Sequence, residues 1–201
     1  TLVESMADLL SKTGPVGFVD LDVGQSSVGP PTTAAWALLE GGFPGRGELK
    51  SRDMAFVGSL TPRGSLLPAL TAAAGVMKAA VSACPTILID TSGFIEGAEA
   101  RIYKQFKIDL LQPDLVIALQ RGCELEPILQ GLSHQRRPEV LRLQVPPAVR
   151  LKGSDERSAW RETLFSEYFS SAADLEIRMD DVGLRATGDL SDLSNHGLIN
   201  R

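Results

Sequence analysis

The sequence predicts an α/β protein, a three-layer sandwich in which helices cover both faces of a mostly parallel sheet. Two observations carry this prediction: short apolar strands alternate with amphipathic helices along the chain, and several strands are continuous apolar runs. A length of 201 residues with a 43% hydrophobic composition is enough for one domain with its own core and a small appendage. We therefore expect a domain over residues 1–173 and the start of a β-rich region over residues 174–201.

In the first half of the chain, a long stretch of turn-forming residues separates the helix and strand patterns. Apolar residues at helical spacing predict a helix over residues 2–10, and the apolar run over residues 16–21 predicts a buried strand. Residues 30–52 are rich in Gly, Pro and small side chains, so we expect mostly loop around a short helical piece. Residues 66–83 are rich in Ala and Leu and predict a long helix.

In the second half, strands and helices alternate regularly. Strands are predicted over residues 86–90, 115–119 and 140–145, and helices over residues 96–111, 124–132 and 155–169. In the helix after residue 96, Ile102, Phe106 and Leu110 alternate with charged residues, which predicts one apolar and one wet face. Ser154 is the expected N-cap of the last helix, and the residues after Leu175 read as strand, turn and strand.

Composition limits the classes of protein that this chain can represent. Cys84 and Cys123 are too few for a disulfide framework and lie in apolar segments, so we expect buried free thiols in a reducing compartment. No apolar run approaches the length of a membrane span, so we expect no membrane partner and a cytoplasmic location, or a nuclear or nucleolar one in a eukaryote. A net charge of −5 argues against broad coating of nucleic acid. A local basic strip and an ordinary solvated surface both stay open for Arg136, Arg137, Arg142, Arg150 and Lys152.

Acidic side chains end two of the predicted strands. Asp20 and Asp22 close the first strand, where side chains two apart share a face, and Asp90 closes the strand over residues 86–90. In open α/β sheets, ligands bind at the carboxyl ends of the strands. A carboxylate there can hold hydrated Mg²⁺ or accept a proton from a hydroxyl nucleophile. A single such aspartate more often caps a turn, but two acid-tipped strands in one sheet favour a site.

Two short segments beside these acids are compatible with phosphate binding. Gln25 follows Gly24 and could position a phosphate or a water, and Thr91-Ser92-Gly93 resembles the turn whose backbone amide faces the terminal phosphate in many nucleotide hydrolases. The glycine-rich phosphate-binding motif with its lysine, G-x-x-x-x-G-K-[ST], is absent from these residues. It would precede the first helix, so we expect it just upstream of Thr1, in a longer protein.

Five segments in order resemble one family. D-L-D-V-G-Q followed by P-P-T, the F-V-G-S-L-T-P run, I-D-T-S-G-F with a later glycine, Q-P-D before a strand, and R-S-A-W-R are similar to successive motifs of the polynucleotide 5′-hydroxyl kinases, which process RNA. Each motif alone is loose, and the five in sequence are fairly specific. The family usually has Trp where this chain has Phe94, which can stack on a base with less area or belong to the core.

The resemblance implies a P-loop NTPase-like fold, with ATP and Mg²⁺ as cofactors and 5′-hydroxyl RNA, or another polynucleotide, as partner. It makes Asp22 the catalytic base and a magnesium ligand with Asp20, and makes Arg157 and Arg161 a lid over the phosphates. A solvated helix face is the alternative for the two arginines. The other residues that it implicates are Thr1, Gln25, Asp90 and Gly93 for the nucleotide, and Thr61 and Phe94 for the RNA.

Three functions remain distinct at this point. The first is an ATP-dependent kinase that transfers the γ-phosphate to the 5′-hydroxyl of RNA, and of DNA in a variant of the same hypothesis. The second is a P-loop switch protein that hydrolyses ATP or GTP and has no need of the arginine lid. The third is a nucleotide-bound adaptor in RNA processing that keeps the fold without catalysis.

Overall fold

The computed structural model describes residues 1–150 and 153–178 of the chain. Its helices are α1 (Leu2–Ser11), α2 (Leu66–Ala83), α3 (Gly97–Leu111), α4 (Glu126–Leu129) and α5 (Ser154–Tyr168). Its strands are β1 (Val16–Leu21), β2 (Thr33–Leu39), β3 (Ser51–Phe56), β4 (Thr86–Thr91), β5 (Leu115–Gln120) and β6 (Glu139–Gln144). Short 3₁₀ turns lie at Arg46–Glu48 and Gln130–Leu132. Strands and helices alternate from α2 onward, whereas β1, β2 and β3 follow one another without an intervening α-helix, and the mixture of elements confirms the α/β class.

The strands form two sheets. In the larger sheet the order is β3-β2-β1-β4, with β1 parallel to β4 and antiparallel to β2. Strand β3 adds to the outer edge of β2, also antiparallel. Strands β5 and β6 pair in parallel as a second, two-stranded sheet. In each parallel pair, the carboxyl ends of the two strands lie at the same edge of that sheet.

The prediction of mostly loop over residues 30–52 was wrong, because all of β2 and the first two residues of β3 lie within this range. Strand β2 is buried along almost its whole length, since it lies between β1 and β3. Its sequence, TAAWALL, is rich in Ala and Leu, which favour helix more than strand. Long-range pairing therefore decided its conformation. Only the segment between β2 and β3 keeps the predicted loop with a short helical turn.

Helices pack on both faces of the larger sheet. The α2 face buries Val19 and Leu21 of β1 with Trp36 of β2, against Ala73 and Val76 of the helix. The opposite face buries a second set of residues with α1: Ala7, Val16, Phe18, Val28, Ala35, Ala37 and Leu39. Residues of β1 thus alternate between two cores, so the strand is buried from end to end. This arrangement gives the three layers that the sequence predicts.

Helix α2 passes a length-and-composition test for a membrane span, contrary to the expectation that no apolar run does so. Among the described residues it is the one helix that passes. Five of its residues are buried, and it packs on strands of the larger sheet: Ala69, Ala72, Ala73, Val76 and Ala80. The structure therefore uses it as a core helix.

Three further expectations need correction. Cys84 is buried as expected, but Cys123 is exposed in the turn after β5. In α3 the buried residues are Ala100, Tyr103 and Lys107, whereas the expected apolar stripe faces outward, with Phe106 60% exposed. The N-cap of α5 is Gly153 and Ser154 is its first helical residue, because the Glu156 carboxylate accepts the Gly153 amide.

The end of the chain is only partly described. Contacts divide the chain into a compact unit, Thr1–Ser170, and a second unit, Ser171–Arg201. Residues 172–178 form no regular element, and the rest of the predicted β-rich region lies outside the described residues. The domain boundary after residue 173 stays a prediction.

Candidate active site

The acids predicted to meet at one edge of the sheet do so. Strands β1 and β4 are parallel neighbours, and their register places Asp20 opposite Asp90. Asp22 lies one residue beyond the end of β1, so strand alternation does not set its direction. The carboxylates are close enough that the negative charge of Asp22 raises the pKa of both Asp20 and Asp90. Three acidic side chains therefore share one site.

Asp20 organises the loop that follows β1. Its carboxylate is 1% exposed and accepts hydrogen bonds from the backbone amides of Asp22, Ser27 and Val28 and from the Ser26 hydroxyl. Burial raises the pKa of Asp20 to about 7, against the opposing effect of the Ser27 amide, and the charge of Asp90 adds to the rise. Both oxygens already have partners within the chain, so this geometry favours a structural role for Asp20 over the predicted metal-ligand role.

Asp22 has the opposite arrangement. One oxygen, Oδ1, accepts the backbone amides of Gly24 and Gln25, at 3.1 Å each. The other oxygen accepts no hydrogen bond from the described residues, and the side chain is only half-buried. One oxygen thus fixes the orientation of the carboxylate while the other stays available for a proton or a cation.

A segment from residue 56 to residue 62 packs closely on the Asp22 loop. A Cβ atom on Gly24 would lie 2.5 Å from the carbonyl oxygen of Leu60, so only glycine fits there without displacement. The Thr32 carbonyl accepts the amides of Val57 and Gly58, which ties the far end of the loop to the same segment. Thr61, predicted to contact RNA, lies exposed in this segment beside Leu60. The structure therefore brings Thr61 to the site.

Sequence reasoning missed two lysines of α3, one of which contacts the turn after β4. Lys104 of α3 donates to the Thr91 hydroxyl at 3.0 Å and to the Ser92 carbonyl at 2.6 Å. Lys107, one turn along α3, is 3% exposed, and its ammonium lies 4.4 Å from the Tyr103 ring centroid without a hydrogen-bond partner. Burial lowers the pKa of Lys104 to about 8 and that of Lys107 to about 7, although Asp22 favours the charged form of both.

Spacing in α3 contained a usable signal for these lysines. Ala100, Tyr103 and Lys107 recur at i, i+3 and i+7, the spacing of one helix face. A more apolar stripe, which includes Phe106, competes with that face, and hydrophobicity alone favours the stripe. Attraction between the lysines and the acids at the strand ends is a tertiary effect that a local pattern does not contain.

The predicted lid helix approaches the Asp22 loop. Gln25 donates through Nε2 to the Arg157 carbonyl oxygen at 3.4 Å and to the Gly24 carbonyl at 3.0 Å. Arg157 itself is exposed at the start of α5, and Arg161 is half-buried one turn later. The far end of α5 touches β3 through the Tyr168 hydroxyl, 4.0 Å from the Met54 sulfur. Residues 132 positions apart are thereby joined at one site.

Phe94 occupies a position between core and surface. It is half-buried against the core of the larger sheet, with its ring centroid 6.1 Å from that of Tyr103. The Arg63 guanidinium carbon lies 5.3 Å from the Phe94 centroid. Gly93, the preceding residue, has open space where a Cβ would lie, so no contact requires a glycine there. Phe94 therefore contacts the core, and its stacking on a base stays a prediction.

Helix α1 begins at the same edge of the sheet. Thr1 is its N-cap, and the Thr1 hydroxyl accepts the Glu4 amide at 3.4 Å. Glu4 pairs with Arg46, and both charges act on the pKa of Asp90, which burial and Asp22 raise. The predicted nucleotide contact of Thr1 stays a prediction. Its helix terminus nevertheless lies within electrostatic range of the acids.

The proposed basic strip is largely neutralised. Arg137 pairs with Asp114, Arg142 with Glu126 and Arg150 with Glu156. Lys152 lies outside the described residues. These ion pairs favour the solvated-surface interpretation over a groove for nucleic acid.

Comparison with known proteins identifies the family. The model of the family described as "mRNA cleavage and polyadenylation factor CLP1 P-loop" matches residues 1–171, most of the chain. The chain belongs to the CLP1 P-loop family. The resemblance inferred from the five motifs is thereby confirmed.

Proteins from archaea are similar to nearly the whole chain. It is 31% identical over 188 residues to a polyribonucleotide 5′-hydroxyl-kinase of Pyrococcus furiosus, covering 93% of this chain and 52% of that protein. It is 32% identical over 188 residues to the protein of the same name from Methanocaldococcus jannaschii, covering 93% and 51%. The chain thus spans about half the length of the curated relatives that it matches.

A solved CLP1 structure confirms the fold. The chain aligns with the wild-type Clp1p–Pcf11p complex with a TM-score of 0.57 and 12% identity, covering 77% of this chain and 42% of that one. At this identity the likeness concerns the fold alone.

The residues at the site suit a magnesium ion held partly by a nucleotide. Within residues 1–150 and 153–178, no group of three His, Cys, Asp or Glu side chains is arranged to hold a metal by itself. Mg²⁺ is commonly bound through one or two carboxylates together with substrate phosphates and water. The free oxygen of Asp22 meets that requirement.

Proposed function

We propose that this chain forms part of an ATP-dependent polynucleotide 5′-hydroxyl kinase, with the 5′-hydroxyl end of RNA as the preferred substrate. The observation that carries the proposal is the Asp22 carboxylate, anchored through one oxygen and available through the other. Asp22 follows Leu21, which pairs with Thr91 of β4, and its loop packs on the segment that bears Thr61. The names of the archaeal relatives support the same activity.

In the proposed reaction the 5′-oxygen of the polynucleotide attacks the γ-phosphorus of ATP in line with the bond to the β–γ bridging oxygen. A new P–O bond forms to the 5′-oxygen, the bond to the bridging oxygen breaks, and ADP leaves. The proton of the hydroxyl passes to the free oxygen of Asp22. When bound, Mg²⁺ would neutralise charge on the phosphates, and Asp22 would help to hold it.

The remaining residues position the substrates. Arg157 and Arg161, on the helix that Gln25 contacts, neutralise the charge that develops on the transferred group. Thr61 and Phe94 contact the RNA, with the Phe94 face near the surface available for stacking on a base. Thr1, Asp90 and Gly93 lie on the nucleotide side, where the turn after β4 faces the terminal phosphate.

The test uses the full-length protein that contains this chain, with labelled ATP and 5′-hydroxyl oligonucleotides of RNA and DNA. We expect label on the RNA and none on a 5′-phosphorylated control. Asp22→Asn should lower transfer by at least about 100-fold, because the amide has no basic oxygen for the proton. Since asparagine retains an Oδ1 acceptor, its melting temperature should match the wild type.

Asp109→Asn is the matched control, because Asp109 is an exposed aspartate on α3. Its transfer rate should equal that of the wild type. Rapid ATP hydrolysis without label transfer would refute the kinase and favour a hydrolysing switch. Nucleotide binding with neither activity would favour an adaptor.

A further inference from the structure

Lys104 is the side chain that connects α3 to the turn after β4. Its ammonium donates to the Thr91 hydroxyl and the Ser92 carbonyl, at 3.0 and 2.6 Å. The two acceptors belong to consecutive residues, so a single cation fixes both a side chain and the backbone of the turn. Hydrogen bonds from a charged donor are stronger than neutral ones, which makes this contact a firm constraint.

Few other side chains form hydrogen bonds with the turn. The Thr91 amide donates to the adjacent Asp90 side chain at 2.9 Å, Thr91 pairs with Leu21 of β1, and the buried Ser92 hydroxyl has no partner among the described residues. Gly93 has open space around its Cα. Among the described residues, Lys104 is therefore the one side chain from another element that hydrogen-bonds to residues 91–93.

The charge of Lys104 is also placed beside the acids. Burial lowers the pKa of Lys104, while Asp22 and Asp90 favour its protonated form, and the charge of Lys104 in turn lowers the pKa of Lys107, which burial lowers most. Tyr103, the remaining titratable group on this face of α3, has its pKa raised to about 12 by burial and by Asp22. Lys104 thus interacts electrostatically with two carboxylates and also hydrogen-bonds to the turn.

We propose that Lys104 is a positioning residue of the transfer site, which holds the Thr91–Ser92–Gly93 turn so that its backbone amides face the terminal phosphate of the nucleotide. This inference rests on the proposed function for its consequence in catalysis. The constraint of Lys104 on the turn follows from the contacts alone. Lys104 acts through the turn and touches no reacting atom.

The experiment compares Lys104→Gln and Lys104→Arg in the full-length protein, with Lys78→Gln, an exposed lysine of α2, as control. The first readout is amide hydrogen exchange in a peptide that covers residues 88–95. Exchange should accelerate about tenfold or more in Lys104→Gln. It should stay near the wild-type rate in Lys104→Arg, because a guanidinium can donate to both acceptors. The control should exchange as the wild type does.

The second readout is transfer activity. We expect kcat to fall roughly 10- to 100-fold in Lys104→Gln, because displacement of a positioning group by about 1 Å can cost two orders of magnitude. The KM for the oligonucleotide should change less than threefold, and Lys104→Arg should recover most of the loss. As pH rises through about 8, wild-type kcat should fall with the charge of Lys104, and this limb should move to higher pH in Lys104→Arg. Asp90, Lys107 and Tyr103 titrate in both proteins, and Asp22 is present in both, so the difference isolates residue 104.

Two results would overturn the inference: unchanged exchange in residues 88–95 of Lys104→Gln, or equal losses in the Arg and Gln variants. A wild-type protein that transfers no phosphate removes the proposed function instead. In that case the exchange comparison still decides whether Lys104 holds the turn. Melting temperatures of all variants identify any general loss of fold.

Discussion

At the scale of single residues, two aspartates at the end of β1 have separate roles. Asp20 is buried and accepts three backbone amides and one hydroxyl, whereas Asp22 keeps one oxygen without a partner. Their residue type and spacing are the same as those of a paired metal site. Only the positions of the surrounding amides distinguish the loop-organising acid from the proposed catalytic base.

Replacement of Asp20 should therefore act on stability. Asp20→Ala removes the acceptor of buried amides at Ser27 and Val28, and unsatisfied buried donors cost about 1–3 kcal/mol each. We expect the free energy of unfolding to fall by roughly 2–4 kcal/mol, measured by chemical denaturation. Asp53→Ala, at an exposed aspartate of β3, is the control and should change it by less than about 0.5 kcal/mol. Equal effects at the two positions would contradict the assigned role.

Lys107 should be a site where stability increases on mutation. Its ammonium is buried without a hydrogen bond, so Lys107→Met should raise the free energy of unfolding by roughly 1–3 kcal/mol at pH 6.5. The pKa of Lys107 is about 7 in the folded protein, against about 10.4 for a free lysine. Between these values the unfolded chain binds more protons, so wild-type stability rises with pH and the advantage of the variant shrinks.

Denaturation curves of both proteins from pH 6.5 to pH 10 test this expectation. The charges of Lys104, Asp22 and Asp20 act on Lys107, and the three residues are the same in both proteins, so the difference between the curves isolates residue 107. An advantage of the variant that grows with pH would contradict the stated sign of the shift.

At the scale of elements, the site depends on the packing of two loops. The loop after β1 and the segment over residues 56–62 approach so closely that Gly24 has no room for a Cβ against the Leu60 carbonyl. The backbone fixes the position of a Cβ, and the Leu60 oxygen is itself a backbone atom, so no side-chain rotation can relieve the clash. Such a close approach is typical of a glycine that a functional loop requires.

Gly24→Ala should therefore displace the segment that carries Thr61. We expect a loss of about 1–3 kcal/mol in the free energy of unfolding, together with a higher KM for the oligonucleotide. Gly14→Ala is the matched control, since nothing lies within 4 Å of a Cβ at Gly14. Thermal melts and transfer kinetics of the two variants check the result. A wild-type KM in Gly24→Ala would show that the segment does not position RNA.

The buried face of α3 differs from the face that its apolar pattern predicts. Phe18 lies inside the sheet with no exposed surface, while Phe106 of α3 is 60% exposed. Phe18→Ala should cost about 3–5 kcal/mol of unfolding free energy, and Phe106→Ala less than about 1 kcal/mol. Chemical denaturation measures both. A large loss at Phe106 would place the α3 stripe inside a core.

At the scale of the whole molecule, most of the fold could be predicted from local patterns. Helices α1 to α3, strands β1, β4 and β5, and the acids at the ends of β1 and β4 all appear in the structure where the sequence predicts them. Strands β2 and β3 could not be predicted, because their residues become strand by pairing with β1 and with each other. Exposure of Cys123 was likewise hidden, since an apolar neighbourhood in sequence does not fix burial in space.

The candidate site shows the same division. By itself the sequence determined the family, the order of its motifs and the acids at the ends of β1 and β4, because these depend on residue type and local spacing. The tertiary structure decided that Asp22 keeps a free oxygen, that Gln25 meets the Arg157 backbone, and that Lys104 and Lys107 turn toward the acids. Hydrogen-bond partners and the desolvation of charges depend on which distant segments come together, and no local pattern contains that information.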